Sequence, residues 1–266
     1  MKTVIIAVFV FAVSAHAQMY QGKQVSNISL VSGAVKPGKP FTLGIHILME
    51  SGWHTYWKTP GDAGAAPVAE IIGAPDLTAG ELRYPTPHKM ISSDIVTYGY
   101  DEEVVFLLPV RPNNANAPHR FKLKLNWLVC KEVCLPAEAI LEFNIDSLNA
   151  DSIKENQRLL DRWTARLPQP GAGFNLDHAG ALATVTKDSA INLFVKFFDV
   201  APNTITDFFP IDQEDFVINY NSIAATRDGI SMTLTPGRKG AELKQIAGVV
   251  LIGTTGYEVN VPVTKQ

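Results

Sequence analysis

The chain has 266 residues, a formal net charge of −3, 18% charged residues and 46% apolar residues, a composition that buries a core rather than remaining disordered. It carries no basic stripe and no run of Lys and Arg, which excludes the electrostatic footprint of a nucleic-acid binder. Only two cysteines occur, Cys130 and Cys134.

The first element in chain order is a leader. Met1-Lys2 precedes an uncharged run from Val4 to Val13, and then Ser14-Ala15-His16-Ala17-Gln18. One lysine, a short apolar core and an Ala-x-Ala end define a signal peptide over residues 1–17, cleaved after Ala17. The apolar run is shorter than the roughly 20 residues that span a bilayer, and no later stretch approaches that length. Loss of Lys2 takes the net charge from −3 to −4. The expected product is a soluble periplasmic protein, not membrane-embedded, of about 250 residues, enough for one large or two ordinary domains.

Short runs of alternating polarity follow: Phe41 to Ile47, Val104 to Val110, Phe121 to Leu128 and Ile140 to Ile145. Each places apolar side chains at every second position, the signature of a half-buried strand. Turn signals at Lys36 to Pro40, Thr59-Pro60-Gly61-Asp62 and Pro112-Asn113-Asn114 separate them. Between these runs stands an aromatic segment, Gly52 to Gly64. In it Trp53 and Trp57 read as core, whereas His54 and Tyr56 have the opposite parity and are candidates to face a site. A second aromatic segment, Asp94 to Asp101, has a glycine between two tyrosines, which reads as a bent loop.

Near residue 148 the pattern changes. Asn149 or Asp151 can cap a helix running to Arg166, with Ile153, Leu159, Leu160 and Trp163 on one side. Leu167 to Gly173 is rich in Pro and Gly and reads as a break. Strands are then expected at Ala181 to Val185, Ile191 to Phe198, Ile218 to Ala225, Ile230 to Leu234, Leu243 to Ile252 and Tyr257 to Val263, with a turn at Asp228-Gly229. Phe208-Phe209-Pro210 and Gly237-Arg238-Lys239-Gly240 read as a loop anchor and a basic turn. The expected fold is all-β: two immunoglobulin-like β-sandwich domains, 18–147 and 172–266, joined by a helical or irregular linker over 148–171.

The cysteines are the chemically distinctive feature. Trp127-Leu128-Val129-Cys130 reads as a strand running into a short turn, Cys134 stands on the far side, and Pro136 follows. Facing positions of two antiparallel strands are near the separation a disulfide requires. Closing a loop of about five residues stabilises a fold by only ~2 kcal/mol, little for a domain with its own core. That favours a bond made to open and close by thiol exchange. A plain structural disulfide and a soft-metal site remain the alternatives. Two thiolates suit Cu(I), and Met49, Met90, His54 and His88 lie in the same expected domain. No hydrolase, Walker or dinucleotide motif is present, and no cofactor is expected unless Cu(I).

Gly52 to Gly64, Thr97-Tyr98-Gly99-Tyr100, and Trp127 to Cys130 with Cys134-Leu135-Pro136, taken together in this order, resemble the N-terminal periplasmic domain of DsbD-type thiol:disulfide interchange proteins, in particular the ScsB-like branch. The resemblance covers about residues 25–147, and the second domain is more loosely similar to the further sandwich of that branch. It implies an immunoglobulin-like fold and electron relay through Cys130 and Cys134. The implied partners are a thioredoxin-like or membrane electron-transfer protein on one side and oxidised periplasmic proteins on the other. It further implies that His54 and Tyr56 flank the cysteines and that Thr97, Tyr98, Gly99 and Tyr100 belong to a cap loop shielding them. In the family that cap carries an acidic residue and a phenylalanine before the Tyr-Gly, where this chain has Val96 and Thr97. The gap between the cysteines is also shorter here. No electron-transfer module or thioredoxin-like domain follows residue 266, so the partners are expected to be separate proteins.

Overall fold

The computed structural model describes residues 16–114, 120–171, 179–186 and 190–265. Apart from the backbone of His16 and Ala17, the expected leader lies outside them. The first half consists of β1 (His16–Tyr20), β2 (Lys23–Ser32), β3 (Phe41–Met49), β4 (His54–Gly61), β5 (Val68–Ile72), β6 (Leu77–Ala79), β7 (His88–Ser92), β8 (Ile95–Asp101), β9 (Glu103–Pro112), β10 (Arg120–Cys130) and β11 (Cys134–Asn144). One sheet has the order β1-β2-β3-β9-β6, the other β11-β10-β4-β8-β7 with β5 also paired to β10. Alternation drives their packing. Leu43, Ile45 and Ile47 of β3 and Leu123, Leu125 and Val129 of β10 are fully buried between the sheets.

β9 departs from alternation, since Val104 through Leu108 are all buried. The cause is α1 (Ala150–Thr164), which covers the outer face of this sheet. Asn149 caps the helix in a reciprocal box with Ser152. Leu160 and Trp163 are buried, with Leu160 lying against Gly44 of β3. Arg162 clamps Glu103 at 3.0 and 3.1 Å, and Asn156 donates to the Ser32 carbonyl at 3.1 Å. The helix expected as a linker element is therefore packed onto the first sandwich as part of its surface.

The second half contains β12 (Gln169–Pro170), β13 (Ala179–Val185), β14 (Ile191–Phe197), β15 (Ile205–Pro210), β16 (Phe216–Ala225), β17 (Gly229–Pro236), β18 (Gln245–Ile252) and β19 (Thr255–Lys265). They form one hydrogen-bonded set, β15-β18-β19-β13-β14-β17-β16, with β12 on β19. β19 joins its two leaves: residues up to Pro262 pair antiparallel with β18, and Val263 to Lys265 pair parallel with β13. The fold is all-β with two domains. Two expectations are corrected. Phe208 and Phe209 are not a loop anchor but the buried centre of β15. Asp94 to Asp101 is not a bent loop, because Ile95–Asp101 is strand β8, paired on both sides.

The two halves meet on aromatic rings. Phe209 packs edge-on against Trp57 at 6.2 Å and Tyr98 at 5.3 Å, and Tyr98 meets Tyr220 at 5.7 Å. Lys89 pairs with Asp207 at 2.8 Å, and the Asn221 side-chain amide donates to the Asp94 carbonyl at 2.6 Å. Phe209→Ala removes a buried ring from this junction. It is expected to cost ~3–5 kcal/mol of stability, read from the shift in denaturant midpoint.

Candidate functional site

Cys130 ends β10 and Cys134 begins β11, facing each other as the last pair of the hairpin ladder with Cα atoms 4.1 Å apart. They are joined as a disulfide. Lys131-Glu132-Val133 forms the tip, closed by the Lys131 amide donating to the Val133 carbonyl at 3.1 Å. The two sulfur-bearing residues differ in access, because Cys130 is 1% exposed whereas Cys134 is open to solvent.

The next strand supplies the neighbours. Cys130 pairs with His54, which in turn pairs with Asp101, and Tyr56 pairs with Gly99, which pairs with His88. Residues directly opposite share a face, so the disulfide, His54, Tyr56, Gly99, Asp101 and His88 form one patch across five strands. The Tyr56 hydroxyl lies 3.8 Å from Cys134 Sγ and 3.2 Å from His54 Nε2. Burial raises the Tyr56 pKa and keeps the phenol protonated at neutral pH. The His54 pKa is lowered, first by burial and then by the neighbouring His88, against an opposing pull from Asp101. A neutral imidazole and a protonated phenol therefore adjoin Cys134, and the phenol can donate to a thiolate formed there.

Tyr56 is itself covered. Gly64 lies against its ring, where any Cβ would collide, and its φ of +112° is a conformation that L side chains rarely adopt. Asp62 pins this loop to β8: its carboxylate accepts from the Val96 amide at 2.8 Å and its own amide donates to the Val96 carbonyl at 2.8 Å. The cover on Tyr56 is thus the Asp62–Gly64 loop. The sequence marked Thr59 to Asp62 as a turn and did not single out a cover over Tyr56.

The resemblance-based cap residues are placed differently. Gly99 belongs to the patch, and its lack of a side chain lets β8 approach the Thr55 carbonyl. Thr97 pairs with Met90 on the same face of the sheet. Tyr98 and Tyr100 point to the opposite face. Tyr98 is buried against the second domain, and Tyr100 packs on Phe106 and donates to the Pro85 carbonyl at 2.7 Å. Neither tyrosine shields the disulfide. Among the metal candidates, Met49 belongs to β3 of the other sheet, and no group of three or more His, Cys, Asp and Glu among the described residues is arranged to hold a metal ion.

A β-sandwich carrying an accessible disulfide at a hairpin tip is the class defined by this fold and site. Residues 18–144 match the family model for the N-terminal domain of the thiol:disulfide interchange protein DsbD. Over 96% of its length and 98% of the other chain, the structure is similar to the N-terminal periplasmic domain of ScsB from Proteus mirabilis, with a TM-score of 0.73 at 17% identity. The Neisseria meningitidis DsbD N-terminal domain in its reduced form also matches, at a TM-score of 0.31 and 15% identity, over 44% of this chain and 84% of that one. No curated protein matches the chain. Among the described residues no helix is long and apolar enough to cross a membrane.

Tyr56→Phe removes the donor beside Cys134. In the reduced protein it is expected to slow alkylation of Cys134 by iodoacetamide at neutral pH several-fold, since ~1 kcal/mol for a hydrogen bond to an anionic acceptor corresponds to about fivefold. Histidine titration makes a separate expectation. His46 and His54 both have lowered pKa values, caused chiefly by burial. Below the ordinary value of about 6.5 the unfolded chain binds more protons than the folded one. Their contribution is therefore present above that pH and is lost as pH falls through the depressed values. Denaturant midpoints measured from pH 7.5 down to 5 should fall, and both imidazoles should titrate below 6.5 by NMR.

Proposed function

We propose that the chain is a periplasmic thiol–disulfide exchange protein that relays electron pairs through Cys130 and Cys134. The observation that carries this reading is the asymmetry of the pair, with Cys134 open beside the Tyr56 hydroxyl and Cys130 buried behind it. A thiolate of a reduced thioredoxin-like or membrane electron-transfer partner attacks Cys134 Sγ. A mixed disulfide forms, the Cys130–Cys134 bond breaks, and Cys130 leaves as a thiolate. The partner's second thiolate then attacks the partner's own sulfur in the mixed disulfide and expels Cys134. The partner is oxidised by two electrons and the pair is reduced. The reduced pair then reverses the sequence on the disulfide of an oxidised periplasmic protein, with Cys134 attacking and Cys130 resolving. Tyr56 donates to whichever thiolate Cys134 carries. Residues 18–147 are the exchanging domain in this reading, 148–171 connect it, and 172–266 brace it.

The match of residues 18–144 to that domain family is independent support for exchange chemistry. The periplasmic setting rests on the N-terminal sequence and on the periplasmic location of the similar ScsB domain.

Single-cysteine variants test the relay. Cys130→Ser leaves Cys134 without a resolving partner. With Cys134 charged as its mixed disulfide with thionitrobenzoate, it is expected to accumulate a mixed disulfide with a reduced thioredoxin-like protein whose own resolving cysteine is replaced, releasing thionitrobenzoate. Cys134→Ser leaves only the buried sulfur and is expected to trap at least tenfold less. The reduction potential of the wild-type pair should lie between roughly −270 and −120 mV, the range of exchange proteins. No trapping by either variant, with a potential below about −300 mV, would make the bond structural.

A further inference from the structure

A cleft of about 290 Å³ shares the hairpin tip with the disulfide. One wall is the β1–β2 turn with Tyr20 and Lys23, and the other is Lys131, Glu132 and Val133. Trp53, 6% exposed, lies at its base with Tyr20 edge-on at 5.5 Å. The ammonium of Lys131 is held in place: it donates to the Ser51 carbonyl at 3.3 Å, and its stem lies against Gly52. Lys23 is exposed on the facing turn. Lys23 and Lys131 therefore line the cleft together with Tyr20 and Trp53, and Glu132 is the one acid in the lining.

Its position gives the cleft a use. Lys131 and Val133 are the chain neighbours of Cys130 and Cys134. A chain bonded to Cys134 therefore runs past the tip, and an extended segment advances ~3.3 Å per residue. A side chain one or two residues from the partner's cysteine reaches the cleft. The volume suits one or two side chains and lies at the lower edge of small-ligand pockets, roughly 300 Å³.

We propose that this cleft is the docking subsite for the polypeptide that exchanges with the disulfide. Its occupant is an extended segment with an apolar aromatic side chain against Trp53 and Tyr20 and a carboxylate against Lys23 and Lys131, both within two residues of the partner's cysteine. This deepens the exchange reading, on which its purpose rests. The pairing of flat aromatic contact with a fixed cation at an exposed rim is the usual anatomy of a small recognition patch.

Peptide binding to the oxidised full chain tests it without requiring exchange. The probes are the capped pentapeptides Gly-Ser-Glu-Phe-Gly and Gly-Ser-Lys-Phe-Gly, with serine in place of cysteine, and N-acetylglutamate. The expected result is that the glutamate pentapeptide perturbs the NMR signals of Trp53, Lys23 and Lys131 and binds at least fivefold more tightly than the lysine peptide at low salt. N-acetylglutamate, which offers the carboxylate without the aromatic ring, should bind at least fivefold more weakly than the glutamate pentapeptide. Lys23→Glu, a surface change, should invert the peptide preference. Equal binding of the two pentapeptides, equal binding of N-acetylglutamate, or an unchanged preference in Lys23→Glu would overturn the proposal. If the glutamate peptide binds as expected but, with its serine replaced by cysteine, does not displace thionitrobenzoate from Cys134 of the Cys130→Ser variant charged with it, the cleft stands and the exchange reading falls.

Discussion

The register of the β10–β11 hairpin is the constraint on which the site depends. The ladder runs without a bulge from Arg120 opposite Asn144 to Cys130 opposite Cys134. Side chains alternate between faces with a period of two, so a slip by one residue would turn Leu123, Leu125, Trp127 and Val129 out of the core. Burial of those four residues thus fixes the pairing at the far end, where the cysteines meet. The cross-strand ion pairs Lys124–Glu138 at 2.8 Å and Lys122–Glu142 at 3.4 Å agree with that register, but at exposed positions such pairs contribute little. The core, rather than the disulfide, sets the geometry. The bond can then open while its two sulfurs stay opposed, as reversible exchange requires.

The same alternation determines which chemistry surrounds the sulfurs. β4 sends Thr55 and Trp57 inward and His54 and Tyr56 outward, and Thr55 ties the strand to β10 by donating to the Leu128 carbonyl at 2.9 Å. The outward pair meets Cys134 as neutral groups, His54 half-buried and Tyr56 buried under the Asp62–Gly64 loop. A full positive charge there would hold a thiolate strongly, whereas a phenol donor stabilises it modestly. Such a site suits a carrier that must both accept and release an electron pair.

Much of this was legible in the sequence where one face of a strand is wet. The alternating runs at β3, β10, β11, β14 and β17 emerge at their expected places, as do the Asn149 cap and the buried Leu160 and Trp163. The parity argument separated His54 and Tyr56 from Trp53 and Trp57 for the same reason. It failed where both faces are covered. β8 shows no alternation because Tyr98 is buried by the second domain while Gly99 is pressed against Thr55. β15 was hidden because Phe208, Phe209 and Pro210 are all buried, leaving no polar half to reveal a strand. The cover over Tyr56 was hidden for a different reason: it depends on Asp62 reaching Val96 of β8, a contact between a loop and a strand that no local pattern encodes.

These failures share a location. β8 is the strand that lies between the disulfide patch and the second domain. Its outward residues Gly99 and Asp101 pair with Tyr56 and His54, and its inward Tyr98 packs on Phe209 and Tyr220. Its amide at Val96 also anchors the loop over Tyr56. A displacement at the aromatic junction therefore moves the backbone on which both the neighbour of Cys134 and its cover are seated. Packed cores resist small deformations rather than absorbing them, so the second domain holds the disulfide patch in position through the aromatic junction, with none of its described residues in the patch.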